Sequence, residues 1–103
     1  MTATETVGSP ADPNARRNAL RVLLVDDDRT LRESCTSVLV HDGYEVRSCG
    51  RGQEARTVIQ REKFDVVLLD MNMSQVSGMT LLRLCLEVNP SVRVIMITGN
   101  PSV

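Results

Sequence analysis

The chain has 103 residues, 42% hydrophobic and 24% charged, with a net charge of −1 from 12 Lys+Arg against 13 Asp+Glu. That is enough for one small domain, and the balance of apolar and charged residues describes a globular chain rather than a disordered one. Near-neutral charge removes the electrostatic ground for expecting nucleic acid or an anionic membrane as the main partner, and no run approaches the ~18 apolar residues of a membrane helix.

Residues 1–19 are polar, rich in Thr, Ser, Pro, Ala and Gly, and predict a disordered leader, with the ordered domain at 20–103. Arg16-Arg17 does not open a twin-arginine signal, because the apolar run that follows is short and ends in Asp26-Asp27-Asp28. RVLLV (21–25) is a short apolar, β-branched run, the mark of a strand buried on both faces. Over 30–43 the period changes, and Leu31, Cys35, Val38 and Leu39 share one helical face. Thr30 and Glu33 have capping-box spacing, Asp28 is a competing N-cap, and Gly43 suits the left-handed residue that closes a helix. YEVRSC (44–49) reads as a strand. The segment 50–63 reads as a helix with Ala55, Val58 and Ile59 on one stripe. FDVVLLD (64–70) is a second buried strand ending in aspartate, and 71–78 is a loop. A helix over 79–89 turns Leu81, Leu84, Cys85 and Val88 inward, and VRVIMIT (92–98) is a third buried strand before GNPSV, which has turn composition.

Strands alternating with helices over short connections predict an α/β fold, a doubly wound parallel sheet with helices on both faces. With Tyr44 and Phe64 as the only aromatics, its core must be Val, Leu, Ile and Met. Cys35, Cys49 and Cys85 are odd in number, widely spaced and without a CxxC, so they read as small buried hydrophobes in a reducing, cytoplasmic setting.

Ligands of open parallel sheets bind beyond the carboxyl ends of the strands, where the strand order reverses. Asp26 and Asp27 end the first strand, Asp70 the third and Thr98 the fourth, and they converge if those three strands are neighbours. Two carboxylates ~5 Å apart repel by roughly 3 kcal/mol at an effective dielectric near 20, so either one is protonated or a cation sits among them. An all-oxygen cluster with few ligands favours Mg²⁺, whereas zinc would want His or Cys. The plain alternatives are a solvated acidic turn that caps the next helix and, for Asp70, an ordinary turn residue at a strand end.

The stretches VLLVDDDRTLR, DGYEV, GQEA, DVVLLDMNM…SG and VRVIMITG, spread over about residues 20–101, resemble the receiver domain of two-component response regulators. The resemblance implies the flavodoxin-like receiver fold and a phosphorelay function. Asp70 corresponds to the phosphoacceptor, taking a phosphoryl group from a sensor histidine kinase or phosphotransfer protein. Asp27 corresponds to the direct Mg²⁺ ligand, Asp26 to its partner acid, Asn72 to the residue whose backbone carbonyl binds the metal, and Thr98 to the switch hydroxyl. A receiver of this kind is a switch that catalyses only its own phosphoryl transfer, not an enzyme in the ordinary sense, and the resemblance implies an output domain elsewhere.

Three features depart from the family pattern. Ser74 stands where proline is usual, Ser77 stands where an acid is often found before the loop glycine, and the lysine that ends the family's fifth strand has no counterpart. The sequence therefore predicts a receiver incomplete at its C-terminus, lacking the fourth helix, fifth strand and fifth helix. It predicts marginal stability and self-association through the apolar last strand. Two other classes compete. A pseudo-receiver would serve as an interaction module that takes no phosphate. A haloacid-dehalogenase-like phosphohydrolase would want a second acid where Asn72 stands and a much longer chain.

Overall fold

The computed structural model describes residues 19–73 and 76–97. Residues 1–18 of the expected leader, Ser74, Thr98 and the closing turn lie outside the described residues. The elements run β1 (Arg21–Val25), α1 (Arg29–His41), β2 (Glu45–Cys49), α2 (Gly52–Arg61), β3 (Val66–Asp70), α3 (Gly78–Val88) and β4 (Arg93–Ile97). Four strands make one parallel sheet in the order β2-β1-β3-β4. β1, β3 and β4 are adjacent, as convergence of the strand ends requires. The order reverses between β1 and β3: the chain steps outward from β1 to β2, then crosses to β3 on the other side.

Side chains alternate across each strand, so the sheet has two distinct faces. Leu23, Val25, Val67 and Leu69 join Ala55 and Ile59 of α2 and Leu81 and Cys85 of α3 in the main core. Val22 and Leu24, also buried, face the other way, toward α1. The stripes expected of α2 and most of α3 are thus in the core, with Val58 and Leu84 packed against it. Val88, expected inward, is exposed in the last turn of α3. Cys49 and Cys85 are buried as expected and Cys35 is half-buried.

α1 departs from expectation. Of its predicted inner face, Cys35 and Leu39 are half-buried, while Leu31 is 43% and Val38 61% exposed. The helix lies along β2 and β1, and the β2 positions in register with Val22 and Leu24 are Val46 and Ser48. That strip is too narrow and polar to cover a whole apolar stripe. The expected capping box also gives way. Asp28 is the N-cap, its carboxylate accepting from the Leu31 N–H at 3.2 Å, and Glu33 instead pairs with Arg29 at 3.0 Å. Gly43 closes the helix at φ 97°, with its N–H bonded to the Val40 carbonyl and the Tyr44 N–H to the Leu39 carbonyl. This double closure needs a left-handed residue, which glycine supplies without steric cost.

At the amino ends of the strands, Glu62 just past α2 accepts from Arg21 of β1 at 2.8 Å and also from Arg47 of β2. Arg21 further pairs with Glu45 at 3.4 Å and stacks over the Phe64 ring at 5.0 Å. These bonds hold the end of the sheet opposite the acidic residues. Among the described residues, β4 has a single strand neighbour and leaves Ile95 53% exposed.

Candidate functional site

The apolar strands β1 and β3 stop at the same level because Val25 and Leu69 are register partners. The next residue on each is an aspartate, Asp26 and Asp70, and both are buried, at 4% and 5% exposure. Asp27 is exposed beside them. One carboxylate oxygen from each of Asp26, Asp27 and Asp70 lies within 4.8 Å of the others, so three of the four predicted metal-site residues meet. The fourth, Asn72, is tied to the cluster by its N–H, which donates to Asp70 Oδ1 at 2.9 Å. Thr98 lies outside the described residues; Ile97, its predecessor in sequence, is the register partner of Asp70, and its carbonyl accepts from the Met71 N–H at 3.0 Å.

Local turns aim these side chains. Asp26 Oδ1 accepts from the Asp28 N–H at 2.9 Å, and Asp28 then caps α1. Asp70 makes the same two-residue turn with Asn72. Such turns are what aspartate does at strand ends, and they leave the second carboxylate oxygen unused. Ser77, one of the departures from the family pattern, serves the local structure, since its hydroxyl accepts from the Thr80 N–H at 3.1 Å and caps α3.

Burial pushes the Asp26 carboxyl above its ordinary value; the Asp28 N–H opposes this, and the charges of Asp70, Asp27 and Asp28 add to the upward shift. Desolvation and like charge both penalise the ionised form, and a cation bound among the three carboxylates would relieve both. The donors are all oxygen, two of them buried and one open to solvent, which fits Mg²⁺ with water completing its shell.

Sequence reasoning missed Arg32 and Gly50. Arg32 Nη1 donates to the Asp26 carbonyl at 2.9 Å, and its guanidinium lies against Gly50. Nothing in the helical period marks Arg32; the available signal was a cation one turn into α1, after three acids.

The chain matches the family model for the response regulator receiver domain over residues 22–103. It is 32% identical over 84 residues to the response regulator MprA of Mycobacterium leprae, covering 82% of this chain and 37% of that protein. A CheY-like response regulator receiver domain protein of Methanospirillum hungatei JF-1 is similar at a TM-score of 0.77 and 31% identity, over 84% of this chain and 69% of that one. The response regulator TrrA of Thermotoga maritima, solved in complex with Mg²⁺-BeF, is similar at a TM-score of 0.71 and 29% identity, over 78% of this chain and 70% of that one. The chain spans 23% to 37% of the length of the first curated relatives it matches. No helix among the described residues is long and apolar enough to cross a membrane.

Proposed function

The chain belongs to the response regulator receiver domain family, and on that premise we propose that it takes a phosphoryl group on Asp70 with Mg²⁺ bound beside it. The observation that carries this reading is the meeting of the Asp26, Asp27 and Asp70 carboxylates within 4.8 Å at the ends of adjacent strands. A histidine kinase or phosphotransfer protein is the donor, as the family resemblance implies. An Asp70 carboxylate oxygen attacks phosphorus, the P–N bond to the donor histidine breaks, and the imidazole departs with that electron pair. The product is an acyl phosphate on Asp70.

The residues that would hold the metal are Asp26, Asp27, Asp70 and the backbone carbonyl of Asn72. Bound there, Mg²⁺ neutralises charge on the transferred group. The chain's own part is positioning. The Asn72 N–H fixes one Asp70 oxygen and so presents the other. Burial on β3 keeps the nucleophile from swinging into solvent. Thr98, the next residue after the partner of Asp70 in β4, is the proposed hydroxyl that senses the phosphoryl group. TrrA carries Mg²⁺ and BeF, and a Burkholderia pseudomallei response regulator similar at 26% identity is described with a phosphorylated aspartic acid; both support the reading.

The test is phosphorylation by acetyl phosphate and Mg²⁺, followed by mass spectrometry. Wild type should gain one hydroxylamine-labile phosphoryl group and Asp70→Asn none. Equal labelling of the variant refutes the assignment, and no labelling of wild type by acetyl phosphate or a phosphorylated donor favours a pseudo-receiver.

A further inference from the structure

We propose that Arg32 and Gly50 form a clamp that sets the Asp26 loop for metal binding, which makes Arg32 a positioning residue of the acidic site; this rests on the reading of that site as a divalent-cation site. Both backbone polar groups of Asp26 are held. Its N–H donates to the Cys49 carbonyl at the end of β2 at 3.1 Å, and its carbonyl accepts from Arg32 Nη1 at 2.9 Å. Arg32 sits on the first turn of α1, six residues on, so its side chain reaches back over the loop that carries Asp26 and Asp27.

The guanidinium needs room for this, and Gly50 provides it. A Cβ at Gly50 would stand 2.6 Å from Nη1, 3.0 Å from Cζ and 3.2 Å from Nη2. The planar group therefore lies flat against the residue that follows β2. Here glycine serves by the space it leaves. The result is a three-way junction in which the end of β2 and the start of α1 grip the backbone of one buried acid. The Asp26 side chain is fixed in turn by the Asp28 N–H. Residues that orient metal ligands without touching the metal commonly change its affinity by about ten- to a hundredfold.

Charge and position make opposite demands on Arg32. As a cation bonded to the backbone of a cluster ligand, it competes electrostatically with a divalent ion. If charge were its whole effect, removing it would tighten Mg²⁺ binding. If it holds the loop, removing it loosens binding. The sign of the change decides between them.

The experiment titrates Mg²⁺ alone into the full chain by calorimetry, for wild type, Asp27→Ala, Arg32→Ala, Arg32→Lys and Gly50→Ala. Thermal melts and amide spectra of the metal-free proteins accompany it. Arg32→Ala should bind Mg²⁺ about tenfold more weakly. Gly50→Ala, which keeps the charge but displaces the guanidinium, should weaken binding in the same direction. Both should shift the Asp26 and Asp28 amide resonances before any metal is added. Arg32→Lys, retaining a cationic donor, should recover part of the affinity. If Arg32→Ala melts without a cooperative transition, Gly50→Ala and Arg32→Lys decide by the same criterion. Folded Arg32 and Gly50 variants that bind Mg²⁺ as tightly as wild type, or more tightly, overturn the clamp alone. A wild type that binds no Mg²⁺, or an Asp27→Ala variant that binds it equally, overturns the metal-site reading and the clamp with it.

Discussion

Replacing Asp26 by Asn should raise the stability of the metal-free protein and abolish most of the stabilisation by Mg²⁺. Asn has nearly the shape of Asp and keeps an oxygen for the Asp28 N–H, so the turn survives. It lacks the charge, and an NH2 group replaces the second carboxylate oxygen. Two unit charges about 4.8 Å apart at an effective dielectric near 20 repel by about 3 kcal/mol. Asp26 faces two such neighbours, Asp27 and Asp70. Solvent around the exposed Asp27 screens one pair, and burial first, then the neighbouring charges, push the Asp26 carboxyl above its ordinary value. A net gain of ~1 kcal/mol remains a reasonable scale, and for a domain of this size that lifts Tm by about 4–8 °C.

With Mg²⁺ the order should reverse. A ligand at about a hundred times its Kd stabilises the folded state by about 2.7 kcal/mol, and wild type has the full set of carboxylates to exploit this. The variant has lost one. Melting curves followed by circular dichroism, in EDTA and in saturating Mg²⁺, should therefore cross: Asp26→Asn above wild type without metal and below it with metal. A variant that melts below wild type in EDTA would show that Asp26 is a structural anchor rather than a strained ligand. Equal gains from Mg²⁺ in both proteins would place the metal elsewhere.

Asp28→Ala removes the N-cap of α1 and should cost about 1 kcal/mol in urea denaturation, while weakening Mg²⁺ binding less than Asp27→Ala does by calorimetry. Glu62→Gln tests the opposite end of the sheet. Hydrogen bonds from Arg47 and then Arg21 hold the Glu62 carboxyl below its ordinary value of 4.5, so its contribution is present above pH 4.5 and is lost as pH falls through the lower folded value. The variant should be less stable than wild type by up to ~1 kcal/mol at pH 7, and the gap should close in acid; a gap independent of pH refutes the ion-pair account. Burial pushes the Cys49 and Cys85 thiols up to about 11, so both should resist iodoacetamide at pH 8 until urea unfolds the chain, and rapid native labelling of either would contradict the core packing.

What the sequence showed of this molecule, and what it hid, follows from the range of each interaction. The strands were legible because a run such as RVLLV or FDVVLLD is apolar on both faces, and such runs fit a covered parallel sheet. The acidic cluster was legible for the same reason: an acid directly after each of two strands meets its counterpart once those strands are neighbours. Helix faces were half legible. Periodicity says which side chains of α1 share a side, yet Leu31 and Val38 stay exposed because burial also needs partner surface, and Ser48 and the edge of β2 offer little. The brace on Asp26 was barely legible, its one trace being a cation a turn into α1 after three acids. Arg32 donates to a backbone carbonyl, a group every residue carries, so no residue type marks the acceptor, and Gly50 contributes only the absence of a side chain. Sequence pattern thus reveals where charge gathers, whereas the contacts that hold the charge in place run through backbone atoms that leave no trace in composition or period.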